Sequence, residues 1–541
     1  MFELRTECRP EGGYPPACGH FAGKWRDGAG RVYPQRWVGH RVGQRGGGGM
    51  RLSQLLAPLG LACTQDTEVT GLACDSRHVK PGMLFAALPG QHRRGEDYIA
   101  QAVERGACAV LRGEEGGAAG VGVPCITVKN PRRTLALLAA QWYQHPAQSL
   151  TLLAVTGTKG KTTTAHMLRD ILLEAGYRTG MVGTLGTFLG REQLAVPDNT
   201  TPEPITLQAQ LRQLADAGCT HVVLEVSSQA MKQERLAGVT VDGALFLNLS
   251  PDHIGPGEHG SWEEYQACKA RLFAQCRLAV GNGDDPSWSA MAKQIPPGVA
   301  QSTFGFGPGV SLRGSGVEPA GDGLSTRFSV SDCDVPYQVA LPGQFNAANA
   351  LAAVALCRAM GVEDGAIRGG LAGVKVPGRT QRVEGVEHPM VLIDYAHNGE
   401  SVRALLSALS AYPHRRLIVV FGAGGDRPPM RRRDMALAVA EWADLAVVTE
   451  DNPRWERVED ICAHITAALG SRIPWRVEYN RERAIRLALE LAGPEDLVAL
   501  LGKGHERYIE CQGVRRPLWE EEVVREASEP LRTARMERSE E

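Results

Sequence analysis

Thr156-Gly157-Thr158-Lys159-Gly160-Lys161-Thr162-Thr163 has the composition of a loop that holds a nucleotide triphosphate. The apolar run 150–155 before it reads as a buried parallel strand. The segment after it carries Met167, Leu168, Ile171 and Leu172 at helical spacing. A strand, a glycine turn and a helix start aim several backbone N–H groups and a positive helix end at one point. Lys161 would reach the outer phosphates and the Thr162 hydroxyl would ligate Mg²⁺. Only two residues separate Gly157 from Gly160-Lys161, where the standard phosphate loop has four. A flexible turn rich in Gly and Thr is the alternative.

Other chemistry-bearing residues also leave the ends of apolar runs. Glu225, followed by Val226-Ser227-Ser228, offers a strand-end carboxylate suited to Mg²⁺, or a cap. His253, in Asn248-Leu249-Ser250-Pro251-Asp252-His253, could ligate metal, orient phosphate or make a structural hydrogen bond. Asp394-Tyr395-Ala396-His397 and Gly422-Ala423-Gly424-Gly425-Asp426-Arg427 could approach ribose or phosphate. Asp451-Asn452-Pro453-Arg454 and Gly502-Lys503-Gly504-His505-Glu506 place an arginine and a glutamate where a zwitterion could be gripped.

Those residues need elements to hold them. A chain of 541 residues can bury several cores, and the strand–helix alternation predicts an α/β protein. Residues 50–145 read as a small α/β module and 146–379 as a doubly wound central domain. Within the latter, residues 310–339 read as a looser β-rich insert. Pro377-Gly378-Arg379 reads as a hinge, and 380–541 as a second α/β domain whose charged tail frays from about Glu526. Residues 1–49 differ, with twelve glycines, eight Lys/Arg against four Asp/Glu, and no periodicity. They are expected to be a disordered leader or an over-extended reading frame ahead of Met50.

A net charge of −2 gives no push toward nucleic acid or acidic membranes. No apolar run approaches the roughly 20 residues that span a bilayer, and no secretory h-region is evident. The thirteen cysteines include no C-x-x-C pair, so neither a disulfide framework nor a zinc site is suggested. The expectation is a cytoplasmic protein without nucleic-acid or membrane partners.

Taken together, from about Met50 to the C-terminal region, these segments resemble the Mur ligase family, the ATP-dependent amino-acid ligases of peptidoglycan synthesis. The resemblance rests on the phosphate loop, Asp75-Ser76-Arg77 with Pro81-Gly82-Met83-Leu84-Phe85, Asn199-Thr200-Thr201, Glu225-Val226-Ser227-Ser228 and Asp451-Asn452-Pro453-Arg454. It implies three domains: a small UDP-binding α/β domain, a central P-loop-type ATPase domain and a C-terminal Rossmann-like domain. It implies ATP and Mg²⁺, a monomer, and substrates comprising a UDP-N-acetylmuramoyl dipeptide and a diamino acid. Within the family it points to addition of meso-diaminopimelate as the third stem residue. A paralogue taking lysine or another acceptor, and a non-catalytic nucleotide sensor, are the alternatives.

Residue by residue, the resemblance implies catalytic roles for Lys161, Glu225, His253 and Lys269, the last as N6-carboxylysine. Thr162, Glu225 and His253 would bind metal. Gly157, Thr158, Lys159, Gly160, Lys161, Thr162, Thr163, Asn346, Asn349, Arg379, Asp394 and His397 would hold the nucleotide. Ser76, Asn199, Thr200, Thr201, Ser227, Gln233 and Arg235 would bind the muramyl substrate. Arg432, Asp451, Asn452, Arg454, Gly502 and Glu506 would bind the amino acid. Four departures from the family pattern stand out. They are Lys159 in place of Asn, Gln229 in place of His, a long 255–260 loop, and Pro428-Pro429-Met430 before the Arg431-Arg432-Arg433 cluster.

Overall fold

The computed structural model describes residues 48–90, 93–114, 122–251, 254–255, 258–321, 324–386 and 388–539, with 25–26 and 32–33. Most of the 1–49 segment therefore lies outside the described residues. Its two short strands, Trp25–Arg26 and Val32–Tyr33, pair antiparallel within the unit Met1–Val42. Everything below concerns the unit Gly43–Glu541.

Three parallel sheets form its skeleton. The first is four-stranded, in the order Gly71–Ala73, Met83–Ala86, Ala109–Gly113, Cys125–Val128. The helix Pro131–Trp142 packs on it and buries Leu135, Leu138 and Trp142. That helix starts cleanly because Pro131 needs no N–H partner and the Asn130 side chain accepts from Arg133 N–H.

The central sheet has 11 strands, with Thr151–Thr156 between His221–Glu225 and Gly243–Phe246. These strands are nearly continuous apolar runs because helices cover both faces. Residues 310–339 are not a loose insert. Leu312–Ala320 pairs parallel with Ala300–Gly305, and Ser325–Val330 and Cys333–Val339 extend the same sheet antiparallel. Alternation explains this, since Phe328, Val330, Tyr337 and Val339 point into the core beneath the helix Gln344–Ala359.

The third sheet has six strands, with Met390–Asp394 and Leu417–Phe421 flanking Leu497–Leu501. Leu445–Val448 and Trp475–Val477 continue it in parallel, and Gln381–Arg382 adds an antiparallel edge strand beside Met390–Asp394. The tail, expected to fray, is instead the helix Glu520–Ser539. Its start is fixed by Glu520, which is buried and accepts from Arg481 Nε at 2.7 Å. No helix among the described residues is long and apolar enough to cross a membrane.

Helix Asp364–Ala372 crosses helix Lys161–Glu174 so closely that a Cβ on Gly370 would stand 2.5 Å from Ile171 Cα. Gly370→Ala should destabilise the protein by about 1–3 kcal/mol. Gly365→Ala, in the same helix with open space around it, should be neutral or stabilising by up to about 1 kcal/mol. Urea midpoints of the two variants check this, and equal midpoints would refute the close-packing argument.

Helix Lys161–Glu174 buries His166 completely, with Nδ1 donating to the Thr162 carbonyl at 2.9 Å and the ring edge-on to Phe188. Burial, aided by Arg169, holds its pKa down at about 3, against 6.5 ordinarily. The unfolded chain therefore binds the extra proton first, and stability falls as pH drops below about 6.5. His166→Asn should flatten that fall, by about 2 kcal/mol at pH 5. Denaturation midpoints of wild type and variant at pH 7 and pH 5 measure it, and parallel slopes would refute it.

Candidate active site

The phosphate loop leaves the strand Thr151–Thr156 and enters the helix at Lys161 through Gly160, whose φ is +85°. A Cβ there would lie 2.3 Å from Asn349 Oδ1, so glycine lets the loop close on helix Gln344–Ala359. Lys161 Nζ donates to the carbonyls of Gly157 at 2.8 Å and Thr158 at 3.1 Å. Lys269 Nζ donates to the same Gly157 carbonyl at 2.8 Å, from the helix Trp262–Ala270. Lys269 is only 2 % exposed and stands 4.8 Å from the Tyr265 ring centre. A solvated surface lysine would do neither.

Glu225 ends its strand 1 % exposed. Its Oε2 accepts from Thr162 Oγ1 at 2.8 Å and Thr184 Oγ1 at 3.0 Å, and its Oε1 from Thr184 N–H at 2.9 Å. Thr200 Oγ1 lies 3.0 Å from Thr184 Oγ1. Room for the carboxylate comes from Gly183, where a Cβ would fall 2.2 Å from Glu225 Oε1. One carboxylate and three hydroxyls beside the phosphate loop form a set of hard oxygen donors, which suits Mg²⁺. Asp252 and His253 lie outside the described residues.

Behind Glu225 sits a second polar cluster. Thr201 Oγ1 donates to the Glu225 carbonyl at 2.8 Å, and Ser227 N–H donates back to Thr201 Oγ1 at 3.0 Å. Arg235 donates to the Thr201 carbonyl at 2.5 Å and to Gln233 Oε1 at 2.7 Å, and pairs with Glu203 at 2.6 Å. Asn199 is exposed. Ser76 is in the first sheet's region, buried, donating to Gln101 Oε1 at 2.6 Å.

A cavity of about 1040 Å³ opens beyond the loop. Thr158, Lys159, Gly160, Lys161, Thr162 and Thr163 line one side, with Asn346 and Asn349. Arg379, Asp394 and His397 line it from the third sheet's side, and Asp451, Asn452, Arg454, Gly502 and Glu506 lie at its far end. Arg379 stacks 4.5 Å from the Tyr395 ring centre. Asp394 accepts from Thr380 N–H at 2.6 Å and Ala396 N–H at 2.7 Å, while burial pushes its carboxyl up. Burial likewise brings His397 and His505 down to about 4, so both are neutral at pH 7. At the far end Arg454, with φ +53°, donates to the Gly425 carbonyl at 2.6 Å.

Arg432 is the exception among the residues expected to bind the amino acid. It is 2 % exposed and turned inward, donating to Glu456 Oε1 at 2.6 Å, and does not line the cavity. Helical geometry is the reason, since neighbouring residues of Pro429–Trp442 point about 100° apart. Arg431 and Arg427 line the cavity instead. Arg427 closes a glycine turn after a strand, a signal that identifies it as a ligand-facing position. Thr184 carries no comparable signal.

The comparisons with known proteins agree with this geometry. The Mur ligase family catalytic domain matches residues 68–143, the Mur ligase middle domain 155–357, and the Mur ligase glutamate ligase domain 378–504. The UDP-N-acetylmuramoyl-L-alanyl-D-glutamate--2,6-diaminopimelate ligase of Gloeobacter violaceus is 40 % identical over 467 residues, covering 85 % of this chain and 94 % of its own. The enzyme of that name from Streptomyces coelicolor is 38 % identical over 493 residues, 88 % of this chain and 96 % of its own. A solved structure of a ligase of that name superposes with a TM-score of 0.64 at 28 % identity, covering 89 % of this chain and all of the other (100 %). Folylpolyglutamate synthase of Mycobacterium tuberculosis, at 20 % identity and a TM-score of 0.57 over 68 % of this chain and 92 % of its own, shares the fold. Matches of this extent across three sheets and one shared cavity mean that the chain belongs to the Mur ligase family, the ATP-dependent acid–amino-acid ligases.

Proposed function

We propose that this protein joins meso-diaminopimelate to UDP-N-acetylmuramoyl-L-alanyl-D-glutamate, with ATP and Mg²⁺, in cytoplasmic peptidoglycan precursor synthesis, and acts as a monomer. The observation that carries the reading is a single cavity with the phosphate loop on one wall and Asn452, Arg454, Gly502 and Glu506 at its far end. The names of the relatives supply the substrates. In this reading residues 50–145 hold the UDP sugar, 146–379 the nucleotide, and 380–541 the incoming amino acid.

The residues divide the work. Lys161 and the loop N–H groups draw charge off the γ-phosphate as the dipeptide's terminal carboxylate oxygen attacks phosphorus and ADP leaves. The Thr162 hydroxyl and the Glu225 carboxylate would hold Mg²⁺, which would supply further neutralisation of the phosphates. Lys269 is buried beside the loop, as suits the lysine that the family carboxylates, and His253 keeps its expected part as a metal contact. Ser227, Gln233 and Arg235, with Ser76, Asn199, Thr200 and Thr201, orient the muramyl substrate. The amine nitrogen of diaminopimelate then attacks the acyl carbon, the C–O bond to phosphate breaks, and the ammonium proton is lost. Arg379, Asp394 and His397 hold the nucleotide, and closure of the last domain on the central one would exclude water from the acyl phosphate. Three arginines, Arg427, Arg431 and Arg454, line the end where a distal carboxylate would sit, which favours diaminopimelate over lysine.

Purified protein with ATP, Mg²⁺ and the UDP-dipeptide should release phosphate with diaminopimelate and not with lysine, with a product of the corresponding mass. Release with lysine alone would overturn the assigned amino acid. Lys161→Ala should lower kcat by about 10²-fold or more. Arg454→Met should raise KM for diaminopimelate about 10–100-fold with KM for ATP unchanged. Unaltered kinetics in either variant would sink that residue's assignment.

A further inference from the structure

Lys503 belongs to the Gly502–Glu506 turn yet takes no part in the functions assigned above. Its side chain is fully buried, 0 % exposed, although it carries an ammonium group. Nζ donates to Glu506 Oε2 at 2.8 Å and to Asn452 Oδ1 at 2.9 Å, and lies 3.5 Å from Asp451 Oδ1. It also stands 5.0 Å from the Tyr508 ring centre. Asn452 returns an Nδ2 hydrogen bond to Glu506 Oε2 at 2.9 Å, and Tyr395 donates to Glu506 Oε1 at 3.2 Å. Burying a long cationic side chain is unfavourable unless it is fully paired, and here three acceptors surround it.

We infer that Lys503 is a positioning residue that locks Glu506 and Asn452 in place and leaves the cluster it forms with Asp451 and Glu506 with one net negative charge, beside the arginines that line the same end of the cavity. This rests on the reading that the far end of the cavity takes the incoming amino acid. The two carboxylates of Asp451 and Glu506 face one ammonium, so a single negative charge remains for the ligand's ammonium. Arg454 and Arg427 line the same end for a carboxylate. A zwitterionic side-chain end satisfies both signs, whereas a lone ammonium leaves the arginines unmatched. Lys503 thereby acts on specificity as well as geometry. Removing its charge leaves two uncompensated carboxylates, which attract a cationic side chain more strongly than a zwitterionic one.

The groups facing Glu506 are Lys503, Asn452, Tyr395 and His505. Burial raises the Glu506 carboxyl, but the charge and hydrogen bond of Lys503, with the Asn452 amide, hold it below the ordinary value. A lysine that merely filled space would leave that balance untouched.

The test compares wild type, Lys503→Met and Lys503→Gln, each with diaminopimelate and with lysine. ATP binding, reported from the other wall of the cavity, checks that each variant is folded. Lys503→Met should raise KM for diaminopimelate at least tenfold, with kcat and KM for ATP within about threefold. Selectivity for diaminopimelate over lysine should fall at least tenfold, and the acid limb of kcat/KM should move to higher pH. Lys503→Gln, which keeps a donor without the charge, should show the selectivity loss with a smaller rise in KM. A folded variant with wild-type KM and selectivity, or one losing only kcat, overturns the inference. So does loss of ATP binding in both variants, which would make Lys503 a requirement of the fold alone. Wild-type protein inactive with diaminopimelate would instead bring down the reading on which the inference rests.

Discussion

A buried carboxylate organises the centre of this molecule. Glu225 is held by the Thr162 hydroxyl and by the hydroxyl and N–H of Thr184, from two segments remote from it in the chain. A carboxylate out of water must be hydrogen-bonded, so the strand end, the phosphate loop and the 183–184 turn are obliged to meet. Gly183 makes that meeting sterically possible. The polar cluster of Thr201, Ser227 and Arg235 is tied in turn to the Glu225 carbonyl. The phosphate loop and this polar cluster thus share one residue, the side chain serving the first and the main-chain carbonyl the second.

Parallel sheets account for why the cavity lies where it does. In open α/β sheets the loops leave the carboxyl ends of the strands, and ligands gather there. The central sheet contributes the phosphate loop and Asn248 at such ends, and the third sheet contributes Asp394, Gly424, Asp451 and Gly502. Gly378 sits directly against the turn at Gly504 and His505, where a Cβ would meet His505 N at 2.1 Å. The connection expected to be a hinge is thus in close contact with the Gly502–Glu506 turn.

Charge at the two ends is handled differently. Lys161 and Lys269 both donate to the Gly157 carbonyl of the phosphate loop. Lys503 faces carboxylates, and its charge is spent within the protein on Glu506 and Asp451.

Local sequence determined most of the scaffold. Apolar runs with glycine or polar ends marked the strands of the central and third sheets, since a strand covered on both faces must be apolar throughout. The phosphate loop and the Asp451–Arg454 and Gly502–Glu506 turns were legible because backbone geometry restricts such turns to a few residue types. Only the tertiary structure decided which polar side chains meet. Lys269 reaches Gly157 across 112 positions and Thr184 reaches Glu225 across 41, and periodicity cannot encode a pairing between segments so far apart. The choice between Arg431 and Arg432 depended on the rotation of a single helix, and residues 310–339 depended on which sheet edge was free to accept them. Burial of a charge is a property of everything packed around it, and that is fixed only when the whole chain has folded.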